Sequence, residues 1–319
     1  MANILLTQKC NQQCPYCFAS YTEDKSYMSM DAFDTIIRFL TKTPKEKIGL
    51  LGGEPLLHPD FSTICKKLTD NQKVNAVVIY TNGLLLHQYI DLMNEQKYAL
   101  LINCNEYDFY NPQVYDKLEN NIRMAVRKLS TKNVLLGLNI YKSFMNIDRL
   151  IDLLKELDMH KLRMSLAIPN EDIDISHKKR YDILKDELFR ILEKLAIADV
   201  VPQFDCNKIP ICYYSKSEIE QLNNLFGKRI KETNLLALDY TCKPVIDIYP
   251  DMSVCRCFGR TDIRRHLSEF MNIDDIRKYF FNKIDKYCFD EPIFESCKTC
   301  YLSETMNCNG GCLSYRVFK

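Results

Sequence analysis

The chain has 319 residues, longer than a typical domain, though single α/β barrels reach this size. Its 43 Lys and Arg against 42 Asp and Glu leave a net charge of +1, which argues against a nucleic-acid surface or a strongly charged partner. It has no run of roughly 18 apolar residues and no basic-then-apolar N-terminal segment, so neither a membrane span nor a signal peptide is expected. Fifteen cysteines without an export signal point to a reducing cytoplasm and metal ligation rather than disulfides.

Strand-like and helix-like segments alternate through the first two thirds. Strands are predicted near 2–7, 46–51, 75–81, 99–104, 133–140 and 161–167, and helices near 30–42, 60–71, 84–96, 113–129, 146–157 and 177–198. Phe33, Ile36, Ile37 and Leu40 recur at helical spacing, while Val134-Leu135-Leu136-Gly137-Leu138 is an uncharged run. Strands buried on both faces, joined by crossover helices, read as a parallel α/β sheet. A change to irregular, cysteine-rich sequence sets an expected domain border near residue 200, giving domains 1–200 and 201–319.

Three segments carry the chemistry of the first domain. Cys10, Cys14 and Cys17 lie at C-x3-C-x2-C spacing on the loop after the first strand. Four Cys usually hold a cubic [4Fe–4S] cluster, so a tight triplet leaves one iron open to an outside ligand. A zinc knuckle is the alternative, but zinc sites usually pair one C-x2-C with another. Gly52-Gly53-Glu54-Pro55 ends the second strand, where glycine permits close backbone approach and proline stiffens the exit. Thr81-Asn82-Gly83 is a turn after the third strand.

The triplet, with Tyr16 before its third cysteine and GGEP at a strand end, resembles the radical SAM superfamily. The resemblance implies an open partial (β/α)6 barrel working at the C-terminal ends of its strands. It also implies a [4Fe–4S] cluster on Cys10, Cys14 and Cys17 whose free iron binds S-adenosylmethionine (SAM). Tyr16 would lie near the adenine, and the Gly52, Gly53, Glu54 and Pro55 segment would bind the amino group. Arg163, early in the sixth strand, is a candidate for the SAM carboxylate. Asn139, late in the fifth, is a candidate for the ribose. The alternative for both is a polar strand residue bonded to a neighbour.

Ten further cysteines follow residue 200. Cys297-x2-Cys300-x7-Cys308-x3-Cys312 closes the series, and two strand-like runs around Pro250-Asp251 read as a hairpin bringing Cys242 and Cys257 together. This region resembles the SPASM/twitch extension, with auxiliary [4Fe–4S] clusters. It departs from that pattern: the middle spacing is x7 where the family has x5, Met252 replaces a glycine, and the family's last cysteine is missing before Lys319. Cys206, Cys212, Cys242, Cys257, Cys297, Cys300, Cys308 and Cys312 make eight ligands, enough for two auxiliary clusters. One auxiliary cluster, or a zinc ribbon over 297–312, are the alternatives. Cys65 and Cys104 read as core thiols, and Cys255, beside a ligand, is a candidate hydrogen-atom donor.

The resemblance implies reductive cleavage of SAM to methionine and a 5′-deoxyadenosyl radical, with the electron coming from reduced flavodoxin or ferredoxin. The expected substrate is a peptide or protein modified by crosslinking, epimerisation or oxidation, with a leader-binding protein as a candidate partner because the cysteine motif starts at residue 10. Alternatives are a dehydrogenase or isomerase of a small metabolite, a sulfatase-maturase-like enzyme, or a non-catalytic iron–sulfur carrier.

Overall fold

Ala2–Thr7 (β1) is buried along its whole length, as a strand covered on both faces of a parallel sheet must be. The computed structural model describes residues 1–17, 26–43, 46–167, 177–204, 206–207, 209–242, 245–291 and 295–315. The strands after β1 are Glu46–Gly52 (β2), Val74–Thr81 (β3), Tyr98–Asn103 (β4), Val134–Ile140 (β5), Lys161–Leu166 (β6), Val201–Phe204 (β7), Ile246–Ile248 (β8), Ser253–Cys255 (β9) and Arg265–His266 (β10). The main helices are Met30–Leu40 (α1), Phe61–Asp70 (α2), Pro112–Asn133 (α3), Asp148–Glu156 (α4) and His177–Ile197 (α5). This is the alternating α/β order that the sequence predicts. No described helix is long and apolar enough to cross a membrane.

The chain divides into two compact units. One comprises Met1–Asn103, Pro112–Leu135 and Pro244–Lys283; the other comprises Cys104–Asn111, Leu136–Lys243 and Ile284–Lys319. The expected border near residue 200 falls inside the second of these. In the first unit the strand order is β10-β9-β8-β1-β2-β3-β4. Its β1, β2, β3 and β4 pair in parallel, β8 joins the other side of β1 in parallel, and β9 and β10 follow antiparallel. Asn3 stands opposite Asp247 in the β1/β8 register, and its side-chain amide donates to the Asp247 carboxylate at 2.8 Å. Both residues are buried, and burial pushes the Asp247 carboxyl up to about 7. A buried polar pair of this kind can meet in one register only.

The second unit orders its strands β5-β6-β7, all parallel. Strand β7 was not predicted, because Pro202 demotes the run. Proline is tolerated there since β7 lies at the end of the strand order, where a missing N–H breaks no ladder.

Two predicted helices differ. Residues 84–96 form only the short 3-10 turns Leu86–Gln88 and Ile90–Leu92. Leu84, Leu86, Ile90 and Met93 are all buried, and residues 84 and 86 would face opposite sides of one α-helix. Helix α3 runs past residue 129 only across a break at Ser130, where φ is 62°.

The predicted hairpin around Pro250-Asp251 is present. Asp247 pairs with Cys255 and Ile248 with Val254, the Met252 N–H donates to the Tyr249 carbonyl, and the Tyr249 N–H donates to Ser253. Met252 takes φ 62°, so a tight turn is followed by a left-handed residue, the position glycine favours in three-residue hairpin loops. Non-glycine residues pay about 1–2 kcal/mol there, partly offset by glycine's greater unfolded-state entropy. Met252→Gly should therefore stabilise the protein by about 0.5–1 kcal/mol, read as a higher denaturant midpoint with unchanged m-value; an unchanged or lower midpoint would refute this.

Candidate active site

Strand β1 delivers the chain into the loop carrying Cys10, Cys14 and Cys17. Cys10 is exposed and the other two are half-buried. A turn in which the Cys17 N–H donates to the Cys14 carbonyl at 3.0 Å holds the last two together. The end of β2 braces the loop from beside it: the Gly53 N–H donates to the Thr7 carbonyl and the Glu54 N–H to the Lys9 carbonyl, each at 2.8 Å. A Cβ on Gly52 would lie 2.1 Å from the Thr7 carbonyl oxygen, and one on Gly53 2.3 Å from that of Lys9. Only glycine allows that approach. Both glycines thus let GGEP pack closely against the backbone that leads into Cys10.

Glu54 has no exposed surface. Its carboxylate accepts from Thr81 Oγ1 at 2.7 Å, the Asn82 N–H at 2.8 Å and the Leu56 N–H at 3.1 Å. Burial pushes its carboxyl up to about 7 despite these three donors. Glu54 therefore ties the end of β2 to the turn after β3. Pro55 opens the short 3-10 turn Pro55–Leu57. Although Cys10 as a residue is exposed, desolvation of its sulfur pushes the thiol up to about 11, with Glu54, Cys14 and Cys17 adding to the effect, so its sulfur lies in electrostatic reach of those three groups.

Tyr16 is anchored at the end of β4, where the Asn103 amide donates to its hydroxyl at 3.0 Å. In the second unit, Asn139 stands opposite Ser165 across β5 and β6. Ser165 Oγ donates to Asn139 Oδ1, and the Arg163 guanidinium donates to Ser165 Oγ at 3.1 Å and to Asn139 Oδ1 at 3.4 Å. The two candidates thus form one polar group on one sheet face. Sequence reasoning missed Asn82, Asn103 and Ser165; for the first two the available signal was their place at a strand's C-terminal end.

Cys65 and Cys104 are buried, and burial pushes both thiols up to about 12. Cys255 is buried among Leu5, Leu51 and Tyr249. It donates to the Cys257 carbonyl at 3.4 Å, and burial raises its thiol beyond the usual range, the surroundings of a core thiol. Arg256, fully buried, donates to Cys257 Sγ at 3.8 Å.

The other late cysteines belong to the second unit, whereas Cys257 belongs to the first. Burial pushes the Cys212 thiol up to about 11, with contributions from Cys308, Cys297 and Cys300. The Cys308 thiol is raised by burial and also feels Cys297 and Cys300. Cys212 and Cys308 thus both lie in electrostatic reach of Cys297 and Cys300. Cys242 lies beside their loop, its N–H donating to Asn309 Oδ1 at 3.2 Å. Cys312 Sγ lies 2.9 Å from Ser314 Oγ, and Cys206 is half-buried.

Soft thiols in groups of three and four are the donors that iron–sulfur clusters take, and each sulfur would reach its own iron. Among the described residues, no three His, Cys, Asp or Glu side chains converge on one point suited to a single ion. The three thiols of the loop after β1 have the donor chemistry of such a cluster. The family described as "Radical SAM superfamily" matches residues 4–145.

Residues 4–145 belong to the radical SAM superfamily.

That span contains the cysteine loop, GGEP and the Glu54–Asn82 network, and the superfamily consists of enzymes that cleave SAM reductively. The solved structure of SuiB from Streptococcus suis bound to SAM superposes over 98% of this chain and 72% of that one, with TM-score 0.66 and 16% identity. The structure titled "Native anSMEcpe with bound AdoMet and Kp18Cys peptide" covers 98% of this chain and 89% of that one, with TM-score 0.62 and 19% identity. The α/β partial barrel with a cysteine-rich C-terminal region, expected from the sequence, is thus the fold class of the chain.

Among curated proteins, the GTP 3′,8-cyclase of Synechocystis is 34% identical over 95 residues, 29% of each chain. A probable GTP 3′,8-cyclase of Methanocaldococcus jannaschii is 34% identical over 118 residues, 36% of this chain and 38% of that protein. The chain therefore spans about a third of the length of these relatives. The GTP 3′,8-cyclase of Campylobacter jejuni matches more of it, 22% identical over 236 residues, 68% of this chain and 69% of that one.

Proposed function

We propose that the chain is a radical SAM enzyme that modifies a peptide or protein, with Cys10, Cys14 and Cys17 holding the SAM-binding [4Fe–4S] cluster. The chemistry such a cluster supplies when bound is one-electron reductive cleavage of SAM. The residues of the first unit position it: Gly52 and Gly53 brace the cysteine loop, Glu54 locks the flanking turns, and Tyr16 is held by Asn103 for the adenine. Asn139 and Arg163 are proposed for the ribose and carboxylate of SAM, with Ser165 fixing their mutual orientation.

Residues 201–319 are proposed as a SPASM/twitch-like extension with auxiliary [4Fe–4S] clusters, two by count of thiols. Cys212, Cys297, Cys300 and Cys308 would supply one set of four donors, a reading supported by the electrostatic reach of Cys212 and Cys308 to the other two. Cys206, Cys242, Cys257 and Cys312 are the remaining thiols of the eight. Reduced flavodoxin or ferredoxin is the proposed electron source.

The observation that carries the peptide reading is the likeness, over 98% of the chain, to folds solved with peptides bound: SuiB with the precursor peptide SuiA, and anSMEcpe with Kp18Cys. A second reading, a small-metabolite enzyme, is favoured by the GTP 3′,8-cyclases among the curated relatives. Label transfer separates the two. Hydrogen abstraction from a peptide carries deuterium from the modified carbon into 5′-deoxyadenosine, and candidate precursor peptides should give that product. Transfer from deuterated GTP, with none from any peptide, would overturn the peptide reading.

A further inference from the structure

Asn82 is a buried side chain that joins the Glu54 network to a cysteine of the triplet. Its backbone N–H is held by Glu54 at 2.8 Å. Its Oδ1 accepts from the Leu84 N–H at 3.1 Å, the usual self-capping of a turn by asparagine. Its Nδ2 faces the other way, donating to Asn11 Oδ1 at 2.7 Å and lying 3.9 Å from Cys10 Sγ. Cys10 Sγ also accepts from the Gln12 N–H at 3.4 Å.

Turn capping accounts for Oδ1 alone. It does not account for an amide donor aimed into the cysteine loop, nor for the fully buried carboxylate that fixes the residue's backbone. Both ends of the Asn82 amide are committed, which leaves the side chain one orientation.

We propose that Asn82 is a positioning residue for the iron–sulfur centre, its amide fixing the Cys10 sulfur and raising the reducibility of the cluster. The assignment rests on the proposed cluster at Cys10, Cys14 and Cys17. Reduction adds negative charge to the cluster and its thiolates. A donor aimed at a ligating sulfur stabilises that charge, and hydrogen bonds to sulfur are among the determinants of cluster potential. Outer partners of metal ligands commonly change metal affinity or activity by 10–100-fold. Glu54 acts one step further out: it holds the turn from which Asn82 reaches.

The test uses two variants of the whole chain. Asn82→Ser keeps a short hydroxyl able to cap the Leu84 N–H but too short to reach Cys10, and stays neutral. Asn82→Asp keeps the shape and the cap while replacing the donor by a carboxylate oxygen. Each is reconstituted anaerobically, and iron per chain, the thermal midpoint of the metal-free protein and the cluster midpoint potential by EPR-monitored titration are recorded. The reduction equilibrium should weaken about tenfold in Asn82→Ser, which is 59 mV for one electron, and at least as far in Asn82→Asp. An Asn82→Ser protein with the wild-type midpoint potential overturns the assignment, even if its thermal midpoint falls or Asn82→Asp shifts, since charge alone would then explain the latter. Should the combined Cys10, Cys14 and Cys17 alanine variant keep the wild-type iron content, the cluster reading itself fails and takes the assignment with it.

Discussion

Anaerobically reconstituted protein supplied with dithionite and SAM is expected to release 5′-deoxyadenosine, and the variant with Cys10, Cys14 and Cys17 all replaced by alanine is expected to release none. The effect is all-or-none because the three thiols share one loop and have no neighbouring replacement. Cys65 and Cys104 are fully buried core thiols. The variant should still fold, since Cys10 is exposed and Cys14 and Cys17 are only half-buried. It should also keep the iron bound in the second unit. Undiminished 5′-deoxyadenosine from the triple variant would remove the basis for placing SAM cleavage at this loop.

Iron content gives the second large effect. At four irons per cubic cluster, wild type should carry about 12 per chain and the triple variant about 8. Replacing Cys212, Cys297, Cys300 and Cys308 together should also lower the count by about four, because these four are proposed to hold one cluster. The two losses should add, as expected of separate sites. A wild-type count of about 8 would leave a single auxiliary cluster, demoting Cys206 first. About 4 with bound zinc would favour a zinc ribbon over 297–312.

Much of the first unit was legible because its signals are local. β1 and β2 announce themselves as continuous apolar runs, and the cysteine spacing and GGEP need no tertiary knowledge. What could not be read depends on pairing across long separations. Asn82 looks like an ordinary turn residue until β1 and β3 bring it within reach of Cys10, 72 positions away. That a Cβ on either glycine of GGEP would meet the carbonyls of Thr7 or Lys9 emerges only once β1 and β2 are paired. Pro202 hid β7, since only the strand order reveals that it sits where proline does no harm. Counting thiols makes Cys212 a ligand candidate, but spacing alone does not say which of the later cysteines it faces; its thiol feels Cys297, Cys300 and Cys308, 85 or more residues on.

The parallel pairing of β1 with β8 has a consequence for how the protein is made. Residues 2–4 meet residues 246–248, a contact spanning more than three quarters of the chain. While the polypeptide emerges from the ribosome, β1 can find β2 early but must wait for β8. During that interval one edge of the strand that carries the cysteine loop is open, the kind of edge that recruits foreign strands. Closing so large a loop costs entropy before any contact repays it, and folds with such long-range pairing fold slowly. The buried Asn3–Asp247 bond then marks completion. Iron delivered before that moment would meet a loop on a half-built sheet, so high-yield production should favour slow synthesis at low temperature, with the metal supplied after the chain has closed.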